Sequence, residues 1–284
     1  MVTRFAPSPT GLLHLGHAFS AFTAWDRVKE AKGVCLLRIE DIDRSRARGE
    51  YETAIFDDLA WLGLTWPKPV MRQSDRSEAY AAAIGVLGRL GVLYPCRCTR
   101  ADIRQALAAP QEGAEMSSTS HVYPGTCLGR TLDEARPTDA LRLNLDRAFE
   151  IVGNQTLTWL DTGPISPGEH ILYPTALKRD IGDVVLGRKD IGTAAYHLAV
   201  VVDDAAQGVT HVVRGADLIE ATPIHRLLQE LLGLPVPVWH HHELVRDEAG
   251  KRLAKRDDAR AIRTYRESGI SPDDLRGLSR SLAR

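Results

Sequence analysis

Apolar and polar positions follow two periods along this chain, and their succession predicts most of its elements. Val2 to Phe5 reads as a short strand. Two prolines and Gly11 then interrupt regular structure, so residues 6–13 are expected to form a loop. Apolar positions at helical spacing resume at Leu15 and run to about Lys32. Val34 to Ile39 is a nearly continuous apolar run, as expected of a buried parallel strand. Ligands of open α/β sheets bind beyond the carboxyl ends of strands, which puts Glu40 at a candidate site and leaves Asp43 and Ser45 as caps for the next helix. That helix is predicted over residues 50–62, with Ile55, Leu59 and Leu62 inward, and another, capped by Ser74 or Ser77, through Leu90.

The alternation of strand and helix breaks at Leu93 to Thr99. A short helix from Ala101 to Ala108 follows, then a polar loop over residues 109–120, then His121, Tyr123, Pro124, Gly125 and Cys127. Residues 138–165 read as short strands, with Leu141, Leu143 and Leu145 alternating. The core is expected to resume near Ile181 to Leu186. Thr210 to Val213 reads as a strand, Thr222 or Pro223 opens a helix through Leu232 closed by Gly233 and Pro235, and Val236 to Val245 reads as a strand. His240, His241 and His242 lie within it; successive side chains face opposite ways, so all three cannot hold one metal, and they read as strand surface. A helix from Ala259 to Glu267 and a short tail from Ser271 finish the chain. The expected division is 1–95 and 181–245 as the two halves of a doubly wound parallel α/β domain, 96–180 as an insertion, and 246–284 as a loop with short C-terminal helices.

The 284 residues are 44% apolar and 26% charged, a globular composition with no stretch long enough to span a membrane. The N-terminus has no signal-peptide pattern, and four cysteines without one suggest reduced thiols or a metal, so a cytoplasmic setting is expected. A net charge of −1 gives no general affinity for nucleic acid; an RNA partner would need local basic patches.

The candidate chemistry begins at the first loop. His14 and His17 are three apart and share a face on the first helical turn, where a helix N-terminus favours anions; with the close-approach Gly16 they make a site for a phosphate chain. The stretch Pro7-Ser8-Pro9-Thr10-Gly11-x-Leu13-His14-x-Gly16-His17 resembles the HIGH signature of class I aminoacyl-tRNA synthetases, in the form carried by the glutamyl and glutaminyl enzymes. Leu36 to Asp43, Val200 to Asp204 and His211 to Asp217 extend the resemblance over nearly the whole chain. Within that family it resembles the glutamyl-Q tRNA(Asp) synthetases, a shortened branch without the anticodon-binding domain.

The resemblance implies a class I synthetase-like Rossmann domain and an enzyme that activates L-glutamate with ATP and attaches it to queuosine in the anticodon of tRNA(Asp). A monomer with no membrane association is expected. The rivals are a glutamyl-tRNA synthetase-like enzyme that charges a tRNA 3′ end, a small nucleotidyltransferase, which would share His-x-Gly-His but not the glutamate pocket, and a catalytically inactive RNA-binding paralogue.

A glutamate pocket needs two cationic or strong-donor positions and one acidic one, and arginine suits carboxylates. Arg4 and Arg214, each at a strand end, are the candidates, with Glu40 for the ammonium group and the Tyr196 hydroxyl as a further donor. These match the family's glutamate-binding positions, as do Ala6 and Ser8. ATP is assigned to His14, Gly16, His17 and Lys255, with Mg2+ bridging its phosphates. Lys255 falls in Arg252-Leu253-Ala254-Lys255-Arg256, which resembles the KMSKS loop but has Ala254 for the usual serine and Arg252 for the first lysine. From residue 251 to 266 there are seven Lys or Arg against two acids, a composition that by itself favours a solvated helix face, while the position after the last core strand favours the loop.

Cys96-x-Cys98 with Cys127 brackets the insertion and suggests one structural zinc. The spacing is tighter than the common pattern, and unligated thiols fit it as well. The family's Cys-x-Cys…Tyr-x3-Cys set implies Tyr123 as fourth ligand, and His121 is the rival on chemistry. Cys35, in mid-strand, reads as core.

Overall fold

The computed structural model describes residues 1–108, 122–188, 193–246 and 260–283. The first strand, β1 (Val2–Phe5), pairs in parallel with β2 (Val34–Ile39), which pairs in parallel with the short β3 (Met71–Arg72). Between β1 and β2 runs α1 (Leu15–Glu30). Its buried face carries Leu15, Ala18, Phe19, Phe22 and Val28, the period the sequence shows. α2 (Gly49–Trp61) follows β2 and buries Ile55 and Leu59 as expected. Leu62, just past its end, is buried too.

Two caps differ from expectation. Arg48 stands at the N-cap of α2 with no side-chain cap bond. Asp43 instead accepts from the Ser45 hydroxyl and from Arg46 and Arg188, which together stiffen the turn after β2. Likewise Arg76, with neither Ser74 nor Ser77 capping, precedes α3 (Ser77–Arg89).

β4 (Leu93–Cys96), β5 (Ala140–Leu143), β8 (Val185–Arg188) and β9 (Thr193–Ala194) form an antiparallel sheet. β8 therefore belongs to this sheet and not to the parallel core expected to resume there. Leu145 does not continue β5. Asn144 accepts from the Arg147 N–H and opens α5 (Leu145–Val152), because Leu145 and Ala148 are spaced for a helix face. A short α4 (Arg100–Ala108) leaves β4 as predicted, and α6 (Pro174–Asp180) precedes β8.

The second parallel group is β10 (His211–Gly215), β11 (Val238–His242) and β6 (Thr158–Asp161), edged by the antiparallel β7 (Gly168–Ile171). β6 and β7 were expected within the insertion; the chain returns to the core earlier. β10 lies beside β1: the Thr210 N–H donates to the Val2 carbonyl at 2.9 Å, and Arg4 reaches the Val213 carbonyl at 3.4 Å. From β1 the chain proceeds through α1 to β2 on one side; from β10 it proceeds through α8 (Thr222–Leu232) to β11 on the other. The reversal opens a crevice at the carboxyl ends of β1 and β10.

α7 (Tyr196–Ala206) and α8 pack over α3 in one hydrophobic core, with Leu87, Leu186, Leu198 and Leu227 fully buried. α1, α2 and the C-terminal segments share the other core, with Phe22, Leu37, Leu59, Ile262 and Leu275. α9 (Ile262–Glu267) begins later than the predicted Ala259, which lies outside the described residues. The expected tail contains a further helix, α10 (Pro272–Ser281), capped by Ser271 and fastened to α1 by Arg276 on Asp26 at 2.7 Å. No helix among the described residues is long and apolar enough to cross a membrane.

Candidate active site

The crevice holds a cavity of about 470 Å³. Arg4, Ala6 and Ser8 line it from β1 and the loop, His14, Gly16 and His17 from the start of α1, and Glu40, Tyr196 and Arg214 from the other walls. The nine glutamate and ATP candidates from the described regions therefore meet in one place. Lys255 with its neighbours Lys251, Arg252, Ala254 and Arg256 lies outside the described residues, as do His121 and the 109–120 loop. The described ends of the 247–259 segment do reach the site. Val245 lines the cavity, and the Ile262 N–H donates to the Leu13 carbonyl beside His14.

His14 is the N-cap of α1, not a residue of its first turn. Its Nδ1 accepts from the Gly16 N–H, and Nδ1 of His17 accepts from the His14 N–H, both at 3.1 Å. A ring nitrogen that accepts carries no proton, so both imidazoles hold theirs on Nε2. Two N–H groups at this helix start are thereby occupied within the cap. What the helix end turns toward an anion is imidazole Nε2–H more than bare backbone, a refinement of the sequence expectation.

The arginines stand in different electrostatic settings. Arg4 donates Nε to Asp204 at 2.9 Å, and the fully buried Arg38 donates to the same oxygen at 2.6 Å and to Glu40 at 3.1 Å. Burial opposes ionisation of Asp204, but these two guanidinium groups hold its carboxyl below the ordinary range. Burial pushes the Glu40 carboxyl above it, against the pull of Arg38 and Arg4. Arg4 makes no hydrogen bond through Nη2 among the described residues, which leaves that nitrogen to donate to a carboxylate.

Arg214 is 5% exposed, and no carboxylate among the described residues contacts it. Its Nε donates to Nε2 of His241 at 3.0 Å, Nη1 to Nδ1 of His225 at 3.1 Å, and Nη2 to the Leu218 carbonyl at 3.1 Å and the Thr222 hydroxyl at 2.8 Å. The Tyr196 hydroxyl stands beside the same group. Burial, assisted by Arg214, lowers His197 to about 4 and His225 well below its ordinary value, so neither adds charge. Arg214 is thus a buried cation surrounded by neutral acceptors, and an anionic ligand would supply the missing counter-charge.

His240, His241 and His242 are all buried, contrary to the reading of them as strand surface. β11 is paired at both edges, by β10 and β6, while Phe19 and Ser20 of α1 cover His242, and Asp161, Arg214 and Thr222 surround His241. His241 turns toward Arg214 and Asp161, and His242 toward Ser20 at 3.1 Å. Arg38, Asp204, Asp161 and His225 were given no individual role from sequence, and His241 was read only as strand surface. Asp161-Thr162-Gly163 at a strand end was the available signal.

The insertion gathers its own cluster. The Sγ atoms of Cys96, Cys98 and Cys127 lie within 4.8 Å of one another, with Cys98 to Cys127 at 3.6 Å. The Tyr123 hydroxyl is 3.4 Å from Cys96 and from Cys98. Arg142 stacks on the Tyr123 ring at 3.7 Å and fixes it. Tetrahedral zinc with bonds of ~2.3 Å needs sulfur atoms roughly 3.8 Å apart, a separation this cluster fits with little movement. Burial works against ionisation, yet the Tyr123 hydroxyl and the Arg97 backbone bring the Cys127 thiol down to about 7, toward the thiolate that ligates metal. Cys35, away from this group, is core, with burial pushing its thiol up to about 12.

A strand–loop–helix carrying two imidazoles, opposite an arginine- and carboxylate-lined crevice, defines an α/β nucleotide-binding catalytic domain. The chain belongs to the family described as tRNA synthetases class I (E and Q), catalytic domain, which it matches over residues 1–281. It is 56% identical over 281 residues to a glutamyl-Q tRNA(Asp) synthetase of Rhodobacter capsulatus, covering 98% of this chain and 99% of that one. A glutamate–tRNA ligase of Aquifex aeolicus is 38% identical over 280 residues, 96% of this chain but 55% of its own length. A solved glutamate tRNA ligase from Elizabethkingia meningosepticum, in complex with its amino acid, superimposes with a TM-score of 0.71 at 26% identity, over 90% of this chain. The chain spans about half the length of that protein, 52%.

Proposed function

We propose that the chain activates glutamate with ATP, without tRNA, and transfers it to queuosine in the anticodon of tRNA(Asp). Buried Arg214 carries this reading, because a carboxylate ligand completes its environment while the imidazoles of His14 and His17 line the same cavity. The near full-length likeness to the Rhodobacter protein supports the choice of acceptor. Arg4 and Arg214 hold the two glutamate carboxylates, Glu40 the ammonium group, the Tyr196 hydroxyl is a further donor, and Ala6 and Ser8 close the pocket. The parallel strands on either side of β1 and β10 serve as a Rossmann arrangement that positions them.

Adenylation is attack of a glutamate carboxylate oxygen on the α-phosphorus of ATP, with loss of pyrophosphate. Charge grows on the phosphorus oxygens and the leaving group, and donors already in place stabilise that growth more than the ground state. His14 and His17 supply Nε2–H donors. Lys255 supplies a positive charge on the pyrophosphate; the anchoring of Val245 and Ile262 at the site supports that assignment. Mg2+ bound with ATP neutralises phosphate charge. Cys96, Cys98, Tyr123 and Cys127 hold one structural zinc that fastens β4 to the residues after the insertion loop.

ATP–pyrophosphate exchange tests the activation half. Glutamate-dependent exchange in the absence of tRNA is expected. Exchange that requires tRNA, or none with any amino acid, contradicts the proposal.

A further inference from the structure

Behind Arg214 runs a buried chain of polar groups to which neither the ATP nor the glutamate assignment gives a role. An oxygen of Asp161 meets Nδ1 of His241, both side chains almost fully buried, and Nε2 of the same ring meets Nε of Arg214 at 3.0 Å. Guanidinium has no acceptor, so Arg214 must donate, and Nε2 of His241 must be the unprotonated nitrogen. The Thr222 hydroxyl, 3.4 Å from Nε2, takes its own hydrogen bond from Arg214. The ring proton is therefore on Nδ1 and is donated to Asp161. The second Asp161 oxygen accepts from the Gly163 N–H at 2.8 Å and the His241 N–H at 3.3 Å, so the carboxylate is itself held by backbone.

We propose that Asp161 and His241 are positioning residues for the amino-acid pocket. Asp161 fixes His241 as the Nδ1–H tautomer, and Nε2 then holds the Arg214 guanidinium in the orientation that receives a glutamate carboxylate. The design answers a conflict of requirements. Arg214 must be oriented while buried, but a carboxylate in direct contact would neutralise it and compete with the ligand. One imidazole between the two puts the fixed negative charge a ring's width away and leaves a neutral acceptor at the arginine. Gly163 makes the approach possible: a Cβ there would stand 2.2 Å from the His241 carbonyl oxygen. On the far side, the same donor logic makes Nδ1 of His225 an acceptor from Arg214, and its Nε2–H faces Nδ1 of His197 at 3.2 Å. Arg214 is thereby gripped from two directions by imidazoles of defined tautomer.

The inference rests on the glutamate reading of the pocket, and two measurements separate the failure of one from the failure of the other. The first needs no substrate. In protein labelled with 15N-histidine, long-range proton–nitrogen correlation should show His241, assigned by its loss in His241→Gln, as the Nδ1–H tautomer throughout the neutral range. An Nε2–H tautomer or an imidazolium overturns the proposal. The second is exchange kinetics of Asp161→Asn, whose amide can present N–H to the ring and force the proton to Nε2. The KM for glutamate should rise roughly 10- to 100-fold, with the KM for ATP within about twofold and kcat at saturating glutamate within about fivefold. Equal changes in both KM values, or no change in either, overturn the relay. Should the variant fail to fold, the tautomer of the unmodified protein still decides. Absence of glutamate-dependent exchange by the unmodified protein refutes the glutamate reading, and the tautomer measurement then stands for Asp161 and His241 alone.

Discussion

Replacing Arg214 by alanine should separate stability from amino-acid recognition. The substitution strips the donor from four acceptors: Nε2 of His241, Nδ1 of His225, the Thr222 hydroxyl and the Leu218 carbonyl. Each lost bond costs about 1 kcal/mol of folding stability. Against that, the folded protein no longer carries a buried cation that no carboxylate among the described residues contacts, whose desolvation costs several kcal/mol. The two effects oppose, so the melting temperature of the ligand-free protein should move by no more than about 5 °C. Binding has no such compensation. A buried charge pair truncated on one side loses about 2–5 kcal/mol, and each 1.4 kcal/mol is tenfold, so the KM for glutamate should rise by roughly 30- to 4,000-fold. The KM for ATP should stay within about threefold, because its phosphates are assigned to His14, His17 and Lys255. Exchange kinetics varied in each substrate, beside a thermal melt, read all three quantities. A glutamate KM unchanged within threefold, or equal losses for both substrates, would show that Arg214 is a structural arginine and that the amino acid binds elsewhere.

Three further outcomes follow from individual residues. Lys255→Ala should slow adenylation by roughly 10²- to 10³-fold with little change in glutamate KM, the scale for losing one positioned donor to a transition state; an unchanged rate removes Lys255 from the chemistry. The purified protein should carry about one zinc per chain, and Cys98→Ser should lose it and expose the segment from 96 to 127 to proteolysis, whereas a metal-free preparation that is folded and active argues for plain thiols. Burial, only partly offset by Arg263 and Arg266, raises the Asp58 carboxyl from 3.8 to about 6, so the folded chain keeps a proton that the unfolded chain releases between those values. Stability should fall as pH rises through that window, and Asp58→Asn should remove the fall and stabilise the protein at pH 8 by about 1–3 kcal/mol; parallel pH–stability curves for the two proteins would contradict this.

The first half of the fold was legible because its signals are local. The continuous apolar run from Val34 to Ile39 and the helical spacing from Leu15 depend on neighbours in sequence, and the structure follows both. Gly233, in a left-handed conformation with φ of 62°, closes α8 where a glycine should. The candidate pocket was legible for a different reason: a long contiguous motif at the N-terminus and strand-end residues, which the α/β rule sends to one crevice.

What escaped is non-local. Leu145 continues the alternation of Leu141 and Leu143, and only the Asn144 cap, with Ala148 three residues on, turns it into a helix. Val185 to Arg188 looks like any core strand, and nothing in its own pattern states that its partner is β5 and not β1. The three histidines of β11 read as surface because imidazole is polar; their burial depends on α1 packing over His242, and on Asp161 and Arg214 satisfying the His241 ring from both ends. A buried polar chain of this kind is spread over β6, β10 and β11 and leaves only single residues in the sequence.

The most direct test of the proposed reaction is where the label goes. The protein is incubated with ATP, radiolabelled glutamate and an anticodon stem-loop of tRNA(Asp) that carries queuosine but lacks the acceptor arm; the same stem-loop with guanosine and full-length tRNA(Glu) run beside it. Label is expected on the queuosine stem-loop alone, in a bond lost on mild alkaline treatment. Label on the 3′ adenosine of tRNA(Glu), with none on the queuosine stem-loop, would contradict transfer to the modified base and assign the chain to acceptor-end charging.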